Sequence, residues 1–319
     1  MLEFLDPKLF VSNRAGEEKI GEKATWFTGN WKSELEKFPG RFVLLGVLED
    51  FGPRANLGRG GATSFFPEFL KKFCNMQHNK YLQGNDLAIL GQIKPVDLEV
   101  TESVDVLREQ VSRLDKQLCE ILVPIFKARK TPIFVGGGHN NSYPLIKSFS
   151  KALNAPVQCL NIDAHADFRN LEGRHSGNGF SYAFKEGYLK QYNLLGLHKN
   201  YNGQKMLESM EKETVQHLFL EDFPAGDNQL AYLKQWIAVK LHSSLAFGLE
   251  IDLDSIAFAH SSAISPIGID FSTLRSLISY IASQVNVGYL NISEGIADEQ
   301  LLTPKTAAYL AADFIRAQQ

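Results

Sequence analysis

Short apolar runs alternate with longer stretches of helical periodicity from about residue 40 to the C-terminus, and this alternation restricts the fold more than any other feature of the chain. The apolar runs lie at 41–48, 87–91, 132–136, 156–163, 192–197, 215–220, 244–251 and 286–292. Several are apolar at nearly every position, as expected of strands covered on both faces. Helical patterns fall between them near 63–74, 101–129, 141–153, 226–243 and 270–285, with a last one near 303–318. Strand–helix alternation predicts an α/β fold with a mainly parallel sheet and helices on both sides. In such sheets the functional groups gather just past the carboxyl ends of the strands.

Composition mainly excludes. With 44% hydrophobic and 22% charged residues over 319 positions, the chain has ample material for a core. A formal net charge of −3 leaves no electrostatic footprint for nucleic acid. No apolar run approaches the ~18 residues of a membrane helix. The N-terminus, MLEFLDPKLF, does not read as a secretory signal. Cys74, Cys119 and Cys159 are odd in number and without CxxC spacing, the pattern of reduced thiols in a cytoplasmic protein.

Polar residues stand at the strand ends, where the fold class predicts a site. The run 156–163 ends in Asp163-Ala164-His165-Ala166-Asp167, three potential metal ligands at alternate positions. In an extended segment, period two puts all three side chains on one side. The run 244–251 leads into Glu250-Ile251-Asp252-Leu253-Asp254, again with alternating carboxylates that need a cation to offset their repulsion. The run 132–136 opens into Gly136-Gly137-Gly138-His139-Asn140, a tight turn that delivers one imidazole. Read together, these segments offer His139, Asp163, His165, Asp167, Glu250 and Asp252 as ligands. Two imidazoles and four carboxylates suit two bridged divalent cations better than one, and the lack of a cysteine ligand favours manganese or a similar metal over structural zinc.

The three segments resemble those of the ureohydrolases, the superfamily of arginases, agmatinases and formimidoylglutamases. Its GGDHS, DAHxD and DxD patterns correspond here to GGGHN, DAHAD and EID, in the same order. The resemblance runs from about residue 40 to the C-terminus. It implies a single three-layer α/β/α domain over 41–319 with about eight parallel strands, preceded by an extension over 1–40. It also implies two Mn2+ per chain, a small amidine or guanidine substrate, and assembly as a homo-oligomer (trimer or hexamer). In this alignment Glu250 and Gly138 stand where the family usually has Asp. A non-catalytic relative kept for binding or assembly is the alternative that these departures raise.

Further matches concern substrate. Glu294, in Asn291-Ile292-Ser293-Glu294, resembles the family's carboxylate for the cationic C–N group of substrate. His175, in Arg174-His175-Ser176-Gly177-Asn178-Gly179-Phe180, lies in the loop where arginases carry a proton-shuttling histidine, one or two residues out of register. The stretch Gly52-Pro53-Arg54-Ala55-Asn56-Leu57-Gly58-Arg59-Gly60-Gly61-Ala62 is closest to formimidoylglutamases. So are Asp167-Phe168-Arg169 and the SGNGF segment that contains Asn178. The expected reaction is hydrolysis of N-formimino-L-glutamate to L-glutamate and formamide, a step of histidine breakdown. Asp167, His175 and Glu294 are the candidate catalytic residues, with Arg169, Asn178 and Glu294 binding substrate. An extra substrate carboxylate is a logical partner for Arg169. Arginine or agmatine hydrolysis with release of urea is the alternative.

Overall fold

The computed structural model describes residues 1–95, 103–241 and 244–319. Its strands, in chain order, are β1 (Leu2–Glu3), β2 (Thr25–Trp26), β3 (Phe42–Val47), β4 (Leu87–Ile93), β5 (Thr131–Val135), β6 (Val157–Ile162), β7 (Leu189–Leu197), β8 (Gln216–Phe219), β9 (Phe247–Asp252) and β10 (Val287–Ser293). All eight apolar runs are strands, within a few residues at each end. They form one sheet in the order β1-β4-β3-β5-β10-β9-β6-β7-β8, with β2 also pairing β4. Every pairing is parallel except the short antiparallel β1–β4 contact. The first forty residues therefore contribute two short strands to one edge of the sheet.

The central strands are buried throughout because both faces are covered. Along β3, Phe42 and Leu44 belong to one buried cluster, while Val43, Leu45 and Val47 belong to another on the opposite face. The first cluster takes in Phe65, Phe66, Phe69 and Phe73 from the helix Phe65–Cys74, and residues of the C-terminal helix Leu302–Gln318. The second takes in the long helix Val104–Lys127, through Leu107, Val111, Leu114, Leu118 and Leu122. This is a three-layer sandwich. Each fully buried large apolar side chain stabilises it by about 1.5–3 kcal/mol relative to an exposed one.

The six expected helices are present as Phe65–Cys74, Val104–Lys127, Ser142–Leu153, Gln229–Leu241, Phe271–Gln284 and Leu302–Gln318. Of the expected spans, residues 101–102 and 242–243 lie outside the described set. Shorter helices were not foreseen, including Trp31–Lys37, Gly179–Lys185 and Gln204–Lys212. They are at most nine residues long, too short for helical periodicity to stand out.

The topology places the chemistry. β9 and β10, the last strands made, enter the middle of the sheet between β5 and β6. Four adjacent strands, β5-β10-β9-β6, thus end side by side, and these are the ones followed by His139, Glu294, Asp252 and Asp163.

Candidate metal centre and catalytic cavity

Register brings the acids together. Ile162 pairs with Ile251 and Ile292 pairs with Ile251, so the next residues, Asp163, Asp252 and Ser293, emerge side by side. One step back into the sheet, Asn161, Glu250 and Asn291 are in register across β6, β9 and β10. This lower row supports the upper one. Asn161 Nδ2 donates to Asp163 Oδ2 at 2.9 Å, and Asn291 Nδ2 donates to Glu250 Oε2 at 2.7 Å.

Two groups of donors converge at the strand ends: His139, Asp163, Asp167 and Asp252 form one, and Asp163, His165 and Asp254 the other. Asp163 is common to both. In the first group, His139 Nδ1 lies 3.1 Å from Asp163 Oδ2, 3.1 Å from Asp167 Oδ2 and 3.3 Å from Asp252 Oδ2. A single ring N–H can serve only one of three carboxylates. Separations of about 3 Å are the edges of a polyhedron of donors ~2.1 Å from a small divalent cation. In the second group, His165 Nδ1 is 2.8 Å from Asp254 Oδ2 and 3.8 Å from Asp163 Oδ1.

The electrostatics agree. Burial, then Asp163, pushes the Asp167 carboxyl above its ordinary range, and burial with Asp254 and Asp163 pushes Asp252 well above it. Burial opposes protonation of His139, yet the carboxylates around it raise it well above an ordinary imidazole. His165 is held at about 11, where burial is likewise overcome by Asp254 and Asp163. Without a cation the site is short of positive charge and recruits protons instead. The donor set fits a divalent metal.

Two sequence assignments change. Glu250 joins neither group. It is fully buried in the lower row, where Tyr289 Oη donates to its Oε1 at 2.6 Å and its Oε2 lies 3.5 Å from His139 Nε2. It stands behind His139, on the far side of the ring from the other donors. Asp254, not selected from the sequence, stands in the second donor group instead. The spacing was ambiguous because Glu250-Ile251-Asp252 and Asp252-Leu253-Asp254 are equally alternating, and the pairing of β9 with β6 selects the second. The motif at this strand is thus Asp-Leu-Asp, and it contains no Glu in place of Asp.

The loop after β6 also departs from the extended form expected of it. Residues 163–167 bend, and Asp167 is left-handed at φ +47°, which folds its carboxylate back beside Asp163. Asn202 fastens this bend: Ala166 N donates to its Oδ1, and its Nδ2 donates to Ala164 O and His198 O. His165 stacks on Tyr201 with ring centroids 5.2 Å apart.

The loop bearing His139 is fixed by Glu49, at the end of β3. Its buried carboxylate accepts from Gly138 N, Asn140 Nδ2 and Asn141 Nδ2 at one oxygen and from Phe51 N at the other. Gly138 has an ordinary backbone, but an added Cβ would lie 2.4 Å from Pro53 Cδ and 2.5 Å from Asn140 Oδ1. Pro53 and Asn140 occupy the space that an aspartate would need there.

Four of the donors, His165, Asp167, Asp252 and Asp254, form the floor of a cavity of about 670 Å³. His165, Asp167, Arg169, Asp252, Asp254 and Glu294 line it. Glu294 is left-handed at φ +62°, and its Oε1 accepts from His139 N at 2.8 Å. Burial raises its pKa to about 8, with Ser262 and the His139 N–H working the other way and Asp167 reinforcing the rise. Arg169 is at the rim, 46% exposed, donating to Asn56 Oδ1 at 2.8 Å and to Glu172 Oε1 at 3.0 Å. His175 and Asn178 are not among the lining residues. The first is fully buried, takes a bond from Gly177 N at Nδ1 and faces Glu172 with Nε2; burial and Arg169 lower its pKa to about 4. Asn178 is fully committed within its loop, accepting from Arg174 Nη1 and donating to Asn170 O and Gly173 O. Both shape the loop that carries the rim.

Comparison with known proteins agrees with this geometry. The sequence profile described as "Arginase family" matches residues 42–317. The chain is 27% identical over 273 residues to the formimidoylglutamase of Halalkalibacterium halodurans, covering 82% of this chain and 83% of that one. Among solved structures, the formimidoylglutamase of Bacillus subtilis superposes with a TM-score of 0.77 at 18% identity, over 96% of this chain and 94% of the other. The Trypanosoma cruzi formiminoglutamase crystallised with Mn2+ superposes with a TM-score of 0.72 at 17% identity, over 94% and 98%. With its α/β/α sandwich, its central strand ends and its acid–histidine cluster in place, the chain belongs to the arginase family.

Proposed function

We propose that this chain is a binuclear manganese hydrolase that cleaves the C–N bond of N-formimino-L-glutamate, giving L-glutamate and formamide. The observation that carries this reading is the pair of donor groups sharing Asp163 at the floor of a cavity whose rim bears Arg169. His139, Asp163, Asp167 and Asp252 would hold one cation, and Asp163, His165 and Asp254 the other. An oxygen-rich set with two imidazoles and no thiolate suits manganese, the ion named with the Trypanosoma cruzi enzyme. Such cations, when bound, would lower the pKa of water and offset negative charge on the attacking oxygen.

The chain's own groups supply the rest. Asp167 faces the cavity, and its carboxylate can take a proton from the attacking water and pass it to the leaving amine. Glu294 offers its second oxygen to the cationic amidine, anchored at the first by the His139 N–H. Arg169 meets a substrate carboxylate through its planar fork. Among the described residues no helix is long and apolar enough to cross a membrane. Assembly as a trimer or hexamer and a cytoplasmic location belong to the same proposal.

The test is a panel of formiminoglutamate, arginine and agmatine with manganese-loaded protein, reading formamide and urea separately. Formamide from formiminoglutamate supports the reading. Efficient urea release from arginine without formamide would leave the metal site standing and replace the substrate.

A further inference from the structure

We infer that Lys205 is a second carboxylate anchor of the cavity, so that a substrate with two carboxylates is held between the Lys205 ammonium and the Arg169 guanidinium. This rests on the amidine-hydrolase reading above and adds to it the residue that selects a dianion.

The charges around the cavity motivate it. Of the lining acids, Asp167, Asp252, Asp254 and Glu294 lie in the donor groups or against them and Glu172 pairs with Arg169, while His165 is itself a donor. Two cationic side chains remain among the lining residues, Arg169 and Lys205. Arg169 is already partly satisfied, because its fork is shared with Asn56 and Glu172. A half-neutralised guanidinium is poorly matched to two carboxylates that must leave water, since a charge taken into a cavity is costly unless paired.

Lys205 has the opposite character. It lies in the first turn of the helix Gln204–Lys212, which follows β7, next to β6 in the sheet and so beside the loop that carries Arg169. Gly203, Gln204 and Met206 line the cavity with it. No ion pair is formed by its ammonium among the described residues, and nearby acids are engaged elsewhere. Glu208 accepts from Gln204, while Glu221 and Asp222 accept from the backbone and the side chain of Lys199. The positive end of the helix adds potential of the same sign. Lys205 is exposed to solvent, and it lines the cavity that holds the donor groups.

The experiment uses the manganese-loaded full chain and its Lys205→Met and Lys205→Arg variants. The methionine keeps the length of the stem and removes the charge. Steady-state kinetics with formiminoglutamate should show KM raised about tenfold or more in Lys205→Met, with kcat little changed, because the contact is made equally in the ground and transition states. Any turnover of agmatine, which has no carboxylate, should be unaffected. Competitive inhibition by L-glutamate should weaken in parallel, and Lys205→Arg should restore most of both effects. Metal content and Tm should match those of the unmodified protein. Formiminoglutamate turnover with an unchanged KM and glutamate inhibition in Lys205→Met would overturn the anchor while leaving the substrate reading intact. An unmodified protein that releases no formamide from formiminoglutamate and is not inhibited by glutamate would overturn both.

Discussion

At the scale of single residues, the account separates ligands from the groups that orient them. Asp254 lies 2.8 Å from His165, whereas Glu250 stands behind His139 in the row below. Asp254→Asn should therefore lower metal content toward about one ion per chain, read by elemental analysis after manganese loading. Glu250→Gln should keep the full content and weaken affinity about 10–100-fold, the usual effect of removing an outer partner of a ligating histidine, read by competition with a chelator. A loss of one ion in Glu250→Gln with none in Asp254→Asn would reverse the assignment. Arg169→Ala should lower kcat/KM for formiminoglutamate about tenfold to a hundredfold, less than for a buried pair because the guanidinium is 46% exposed and shared with Glu172. Equal losses on agmatine would make Arg169 a support of the rim. Five of the six ligands chosen from the sequence converge here, since alternation at a strand end constrains side-chain direction strongly. The sixth, Glu250, stands outside both groups, because alternation cannot say at which residue of Glu250-Ile251-Asp252-Leu253-Asp254 the strand gives way to the site.

At the scale of elements, loops set the geometry, and loops were the least legible part. Most of the eight runs could be read as strands because burial on both faces makes them nearly uniformly apolar, whereas the edge strand β8 buries only Leu218. The bend at Asp167, the anchoring by Asn202 and the hold of Glu49 on the His139 loop leave no periodic trace. His175 and Asn178 drew attention as polar residues in a family-like segment, yet their hydrogen bonds close a loop on itself. Gly138 is informative at this scale. Its position is filled by Pro53 and Asn140 from neighbouring turns. Gly138→Ala should thus destabilise the fold by about 1–3 kcal/mol, the range for forcing extra atoms into a packed site, with weaker manganese binding because His139 is the next residue. Urea denaturation of the metal-free variant tests this, and a change under ~0.5 kcal/mol would show that the turn has room.

At the scale of the whole molecule, the sheet order concentrates buried acids at its centre, and the metal becomes part of the stability. In the metal-free chain Asp167 and Asp252 have raised pKa values, so the folded state binds more protons than the unfolded one across the carboxylate range. His165, at about 11, likewise contributes stability that is complete below the unfolded imidazole pKa and is lost as pH rises toward 11. These shifts at the donor cluster share one sign: their contribution to the stability of the metal-free protein falls as pH rises. Metal binding displaces those protons and tightens with pH. The rise in Tm on adding manganese should consequently be larger at pH 8 than at pH 6, by differential scanning calorimetry, and a smaller rise at the higher pH would contradict this electrostatic picture.

The central claim is that two donor groups sharing Asp163 hold two cations that serve amidine hydrolysis. The measurement that tests it most directly is manganese stoichiometry on the same samples assayed for formamide release, with the unmodified chain beside Asp254→Asn. The account predicts about two ions per chain and formiminoglutamate turnover in the first, about one ion and at least a hundredfold loss of kcat in the second. About one ion per chain in both proteins, with equal formamide release, would contradict it.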